Sequence, residues 1–347
     1  MAQKNIIITG AGGLVGPLLA SRLLNSPEYR VILTDVTDPI IPSGVTYPSN
    51  AVVLKGDITQ PEFVASLVAA AQPLHAVFIF HGIMSAGSEA NFELSLRVNV
   101  DSIRVLTDTL RTTNPGVRII YASSLAVYGQ PLPEETKVTD EVTPTPQTTY
   151  GAHKLMNEIY LNELHRRGFL DVFVARFPTI SVRPGKPTAA ASSFLSGIIR
   201  EPMNGQEWYA APLSPTYVRL VELMVTPCSV IPIQDRNFKS YLASPRTIAE
   251  NLIRVLNLDS HVLPRHIRHV NFPGISVSIQ EMLNALAKFG GQDKLALVKE
   301  VPNAESERIL RSWPQDFDTS TPVLRLGLVV DVSGEDLVRE YIETLSQ

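Results

Sequence analysis

Eight residues near the N-terminus, Thr9-Gly10-Ala11-Gly12-Gly13-Leu14-Val15-Gly16, constrain the fold of this chain more than any other feature. They stand between a β-branched run at 4–9 and a helix-like apolar stretch at 17–24, so the segment reads strand, turn, helix. Glycines at 10, 13 and 16 serve three purposes there. The first permits a tight turn, the second lets backbone amides approach a pyrophosphate, and the third lets helix pack on strand. The helix N-terminus attracts the anion. A glycine-rich turn without a ligand is the alternative reading, but the placement favours dinucleotide binding at Gly10, Gly13, Leu14, Val15 and Gly16.

The pattern downstream fits that start. Apolar strands are expected at 30–35, 51–54, 75–80, 117–122 and 171–176, with helices at 61–71, 91–111 and from Tyr150 onward. Strands alternating with helices predict an α/β, Rossmann-like doubly wound parallel sheet with right-handed crossovers, binding ligands at the strands' carboxyl ends. The Pro-, Thr- and Glu-rich stretch 130–149 reads as an exposed loop. Beyond 180 the alternation weakens. This predicts a dinucleotide-binding domain over 1–180, a return to it near 240–260, and a smaller, interleaved, mainly substrate-binding region over 181–347. Helices are expected at 245–256 and 278–289, the latter capped by Ser278 with Glu281 three residues on.

Asp35 ends the second strand, where a carboxylate accepts hydrogen bonds from ribose hydroxyls and repels a 2'-phosphate. That favours NAD over NADP. Asp57 and Ile58, after the third strand, are candidates for adenine contact. Tyr150 and Lys154 are four residues apart at a helix start and share a face. A neighbouring ammonium favours phenolate, so the pair is suited to exchanging a proton with a substrate hydroxyl. The spacing alone is common on amphipathic helices. Tyr121-Ala122-Ser123-Ser124, at a predicted strand end, supplies a polar partner.

The glycine motif, Ser123-Ser124-Leu125-Ala126-Val127-Tyr128-Gly129 and Tyr150-Gly151-Ala152-His153-Lys154, in that order, resemble the extended short-chain dehydrogenases of the NAD-dependent epimerase/dehydratase superfamily. The resemblance implies an NAD-dependent oxidoreductase in which Ser124 polarises the reacting oxygen, Tyr150 is the acid or base, and Lys154 holds the nicotinamide ribose while tuning Tyr150. It also implies cofactor contacts from Phe80, Asn99, Ser123, Phe177 and Thr179. A narrower likeness lies in residues 144–151, 183–187 and 189–202, which resemble the D-erythronate dehydrogenases. This implies oxidation of a small 2-hydroxy sugar acid to its 2-oxo acid, with Thr148, Arg183 and Ser192 among the substrate contacts. An arginine fork suits a carboxylate. Phe80-His81-Gly82 departs from the small residues of many relatives, and 211–231 is longer than the family pattern.

A nucleotide-sugar epimerase shares the fold and the triad, although Leu125 and Ala126 replace the acidic pair of the dehydratases. A non-catalytic NAD sensor is the third reading. The net charge of -4, without long like-charge runs, disfavours nucleic acid, and no apolar run reaches membrane-spanning length. A secretory reading of the N-terminus would sacrifice the glycine motif. The single cysteine, Cys228, suits a cytoplasmic protein. Arginines 265 and 268, between His261, His266 and His269, argue against a metal site. A homodimer is expected by resemblance.

Overall fold

The computed structural model describes residues 3–129, 137–185, 191–205 and 230–345. Nearly all of the long stretch at 211–231, and Lys186 to Ala190 of the quoted motifs, therefore lie outside the described residues.

Seven strands form the central sheet: β1 (Lys4–Thr9), β2 (Tyr29–Asp35), β3 (Ala51–Lys55), β4 (Leu74–Ile79), β5 (Arg118–Ser124), β6 (Asp171–Phe177) and β10 (His269–Asn271). Their order is β10-β6-β5-β4-β1-β2-β3, and every neighbouring pair is parallel. Burial on both faces explains why the strands are nearly continuous apolar runs. Ile6, Ile8, Leu33, Phe78 and Ile120 pack on one face with α1 (Val15–Leu23) and the helix Pro245–Leu256. Ile7, Ile32, Val77 and Ile119 pack on the other with α2 (Pro61–Ala70), α5 (Ser102–Thr113) and α6 (Thr149–Arg166). The winding reverses between β1 and β4, and a crevice for a ligand opens at such a point.

The third core is smaller and joins α7 (Phe194–Met203) to the helices Ile279–Leu295 and Gly334–Leu345. It reaches the cleft through a second sheet, in which β9 (Lys239–Ala243) lies between β7 (Thr179–Ile180) and β11 (Ile275–Ser278). Only Pro178 separates β6 from β7, so one run of chain links the two sheets. Among the described residues, no helix is long and apolar enough to cross a membrane.

Two expectations need correction. The helix predicted over 91–111 comprises α4 (Phe92–Leu96), a widened π-helical turn at Arg97–Asp101, and α5. Asn99 sits in that turn, where its side chain takes the Ile83 amide at 2.6 Å. Such bulges often mark functional positions. The 130–149 stretch is not wholly exposed. Val138 is buried, and its backbone exchanges hydrogen bonds with Asp316 and Asp318 at 3.0 and 2.8 Å, because Phe317 fills an aromatic cluster with Tyr128 and Tyr241.

The glycine loop depends on close packing between α1 and β1. A Cβ at Gly16 would stand 2.6 Å from the Ala11 Cα, so α1 would have to lift. Gly16→Ala is expected to destabilise the protein by about 1–3 kcal/mol through overpacking. Urea unfolding checks this, and an unchanged midpoint would refute the packing argument.

Candidate active site

Two clefts meet over the carboxyl ends of the strands and share Gly10, Gly13, Phe80 and Gly82. The first, on the side of β2 and β3, is lined by Asp35, Asp57 and Ile58. The second, about 340 Å³, carries Leu14, Val15, Ser123, Ser124, Tyr150, Lys154, Phe177, Thr179, Arg183 and Ser192. Most of the candidate site residues thus converge on one continuous groove.

The turn after β1 is shaped for an anion. Gly10 has φ +67°, and a Cβ there would lie 2.5 Å from the His81 amide nitrogen. At Gly13 the nearest atom to such a Cβ is the Gly10 carbonyl oxygen at 3.3 Å. Gly16 lies beneath the loop, against Ala11 rather than in either cleft. Asp35 is held in place by the Gly12 amide at 3.0 Å and the Thr37 amide at 3.1 Å. These residues fit a dinucleotide: glycine surfaces for a pyrophosphate, and an oriented carboxylate for a ribose.

On the other side, Ser124 ends β5 and its hydroxyl accepts the Ala126 amide at 3.1 Å. Tyr150 opens α6, which Thr148 caps through its hydroxyl and the Gly151 amide at 3.1 Å. Thr148 is therefore engaged in capping and lines neither cleft. Asn99 likewise stands behind the wall, its amide donating to the Ile83 carbonyl and the Ser95 hydroxyl at 3.0 and 3.1 Å. Ser123 borders the cleft, but its hydroxyl donates inward to Glu158.

The electrostatics differ from the expectation drawn from spacing. Burial pushes the Tyr150 phenol up to about 12, with the neighbouring Ser124 hydroxyl and the charge of Arg183 pulling the other way. Two cations therefore stand near the phenol, Arg183 and Lys154, the latter 5.5 Å from the ring centroid. Lys154 donates instead to the Ala122 carbonyl at 2.6 Å and lies 4.7 Å over the Tyr121 ring. Burial lowers its ammonium to about 8, against the pull of Glu158. Arg183 is brought down to about 10 by burial and by Arg200, so it stays charged at neutral pH. Its Nε donates to the Ile180 carbonyl at 2.9 Å, and Nη2 reaches Ser192 at 3.4 Å.

His81 is enclosed between two hydroxyls, with Nε2 2.8 Å from Ser102 and Nδ1 2.7 Å from Thr9. Burial and Lys154 hold its pKa down to about 3. The three clustered histidines look elsewhere: His261 bonds Asp259 at 3.0 Å, His269 meets the Asp140 carbonyl at 3.1 Å, and the His266 carbonyl takes Asn162 at 2.6 Å.

Residues 6–214 match the NAD dependent epimerase/dehydratase family. The chain belongs to that family. Within it, the chain is 35% identical over 346 residues to a D-erythronate dehydrogenase of Cupriavidus necator, spanning 98% of both chains. It is 33% identical over 342 residues to a D-erythronate dehydrogenase of Haemophilus influenzae, covering 97% of this chain and 98% of that protein. A solved nucleoside-diphosphate-sugar epimerase from Agrobacterium tumefaciens superposes with TM-score 0.83 at 32% identity, covering 99% of this chain and 94% of the other. Family and relatives support an NAD-dependent oxidoreductase acting on a CH–OH group.

Sequence reasoning missed several residues of this epimerase/dehydratase-family site. Gly12 and Thr37 orient Asp35. Tyr121 lies under Lys154. Phe238, Lys239, Tyr241, Leu310 and Trp313 wall the far side of the cleft. Those five come from distant segments without a local motif, whereas Glu158, also missed, could have been found by its four-residue spacing from Lys154.

Because folded His81 refuses a proton that the unfolded chain accepts, stability should fall as pH drops from the ordinary 6.5 toward about 3. Other depressed histidines, His165 among them, act in the same sense. His81→Gln should flatten part of that slope, as read by urea unfolding at a series of pH values; an unchanged slope would contradict the neutral imidazole.

Proposed function

We propose that this protein oxidises a small 2-hydroxy sugar acid of the D-erythronate type to its 2-oxo acid, with NAD as cofactor. The carrying observation is that Ser124, Tyr150 and Lys154 converge on one cleft together with Arg183, and that this cleft runs into the glycine turn. Full-length similarity to two D-erythronate dehydrogenases supports the substrate class.

NAD, when bound, supplies the hydride acceptor. Gly10, Gly13, Leu14 and Val15 would cradle its pyrophosphate, and Asp35 its adenosine ribose. Asp57 and Ile58 would flank the adenine, with Phe80, Phe177 and Thr179 toward the nicotinamide. Tyr150 takes the proton of the C2 hydroxyl while Ser124 holds that oxygen. Lys154 holds the nicotinamide ribose. Arg183 and Ser192 bind the carboxylate, and the guanidinium also favours phenolate at Tyr150. In this reading residues 1–180 and the returning 240–260 segment carry the cofactor, and 181–347 mainly shape the substrate pocket. The protein works in the cytoplasm as a homodimer. The exposed apolar side chains Phe92, Met156 and Ile159, on α4 and α6, would meet their copies in that dimer.

Purified protein with NAD and D-erythronate, L-threonate or a UDP-hexose tests the function through the absorbance of reduced nicotinamide. Reduction with sugar acids is expected; isomerisation of the UDP-hexose without net reduction would make the protein an epimerase instead. Tyr150→Phe should lower kcat by about 10²–10⁴-fold and leave NAD affinity unchanged. Retained turnover would contradict the proton-transfer role. Since the phenol must lose its proton, kcat in the oxidative direction should rise with pH through the neutral range. A flat profile would count against a buried phenol as base.

A further inference from the structure

Behind the strand end that carries Ser124 lies a charge cluster that the steps above leave unused. Glu158 stands on α6 one turn after Lys154, sharing its face, and is 4% exposed. Its carboxylate accepts the Ser123 hydroxyl. The Arg176 guanidinium grips it from β6, with Nε at 3.0 and 3.1 Å from its two oxygens and Nη2 at 2.6 Å. Arg176 Nη1 donates onward to the Tyr128 hydroxyl at 2.6 Å, which donates to Asn271 Oδ1 at 3.0 Å.

The position of this cluster gives it consequence. Ser124 belongs to β5, whereas Tyr150 and Lys154 belong to α6. The two residues before Ser124 are each tied to α6: the Ala122 carbonyl by Lys154 at 2.6 Å, and the Ser123 hydroxyl by Glu158. The groups facing Lys154 are Tyr150 and Glu158 from α6, the Tyr121 ring from β5, and His81 after β4, with Arg176 beyond Glu158. Of these, Glu158 carries the negative charge that favours the ammonium.

We propose that Glu158 is a positioning residue for the reaction: through Ser123 it fixes the end of β5 against α6, setting Ser124 relative to Tyr150, and it is the acidic neighbour of Lys154 on the same face of α6. This inference rests on the proton-transfer reading of Tyr150 and Lys154. A buried ion pair is a poor source of stability, because desolvating both charges offsets their attraction. Removing one partner of a merely structural pair would lower stability and leave the kcat of the folded protein and the Lys154 profile unchanged.

The test uses the full-length protein and three variants. Ser123→Ala removes the tie to β5 and leaves the Arg176 pair intact. At saturating NAD it should lower kcat with D-erythronate by about tenfold, within the ~10²-fold that a 1 Å misplacement produces. Glu158→Gln removes the charge. In the cofactor-free protein it should shift the pH dependence of Lys154 modification by a small amine reagent about one unit toward acid, a tenfold change in proton affinity. Glu158→Asp, which keeps the charge but shortens the reach, should leave the Lys154 profile as in the wild type and lower kcat; if the glutamine variant fails to fold, Ser123→Ala still decides the proposal. Wild-type kcat in Ser123→Ala, or an unshifted Lys154 profile in folded Glu158→Gln, would overturn the proposal. Turnover by Tyr150→Phe would instead remove the reading beneath it, so the two failures are distinguishable.

Discussion

The N-terminus of α6 is pressed into the turn that follows β5, and the candidate site depends on that contact. A Cβ at Gly151 would collide with the Ala126 carbonyl oxygen, so a glycine permits the approach. Helix and turn seat each other, with Thr148 capping one and Ser124 holding the Ala126 amide of the other. Tyr150 and Ser124 face one cleft as a result of backbone packing. Small changes at this junction would translate directly into misplacement of the two hydroxyls.

The same packing creates an electrostatic problem that the cleft does not fully resolve by itself. Burial lifts the phenol and depresses the ammonium, leaving both nearer their neutral forms than in water. Arg183 and Ser124 act on the one, Glu158 on the other. These helpers come from the segment after β7, from β5 and from α6, so the charge state of the site is a property of the assembled fold.

Much of the cofactor side was legible in the sequence because it is local. Glycine spacing between strand and helix, Asp35 at a strand end, and four-residue spacing on a helix are facts of chain geometry that need no partner from far away. The capping box at Ser278 and Glu281 was legible for the same reason. Failures fell where tertiary partners intervened. Val138 looked exposed until Phe317, far along the chain, came to cover it. Asn99 and Thr148, named as ligand contacts, also hold Ile83 and Gly151.

By itself, then, the sequence determined the doubly wound sheet, the anion-shaped first turn and the identity of the Tyr150–Lys154 helix face, since each follows from periodicity and backbone sterics over a few residues. The tertiary structure alone decided that β10 completes the sheet, that Arg183 joins Tyr150 in one cleft, and that Glu158 links Ser123 to Arg176. Those outcomes depend on burial and on distances between remote segments, and no local pattern encodes either quantity.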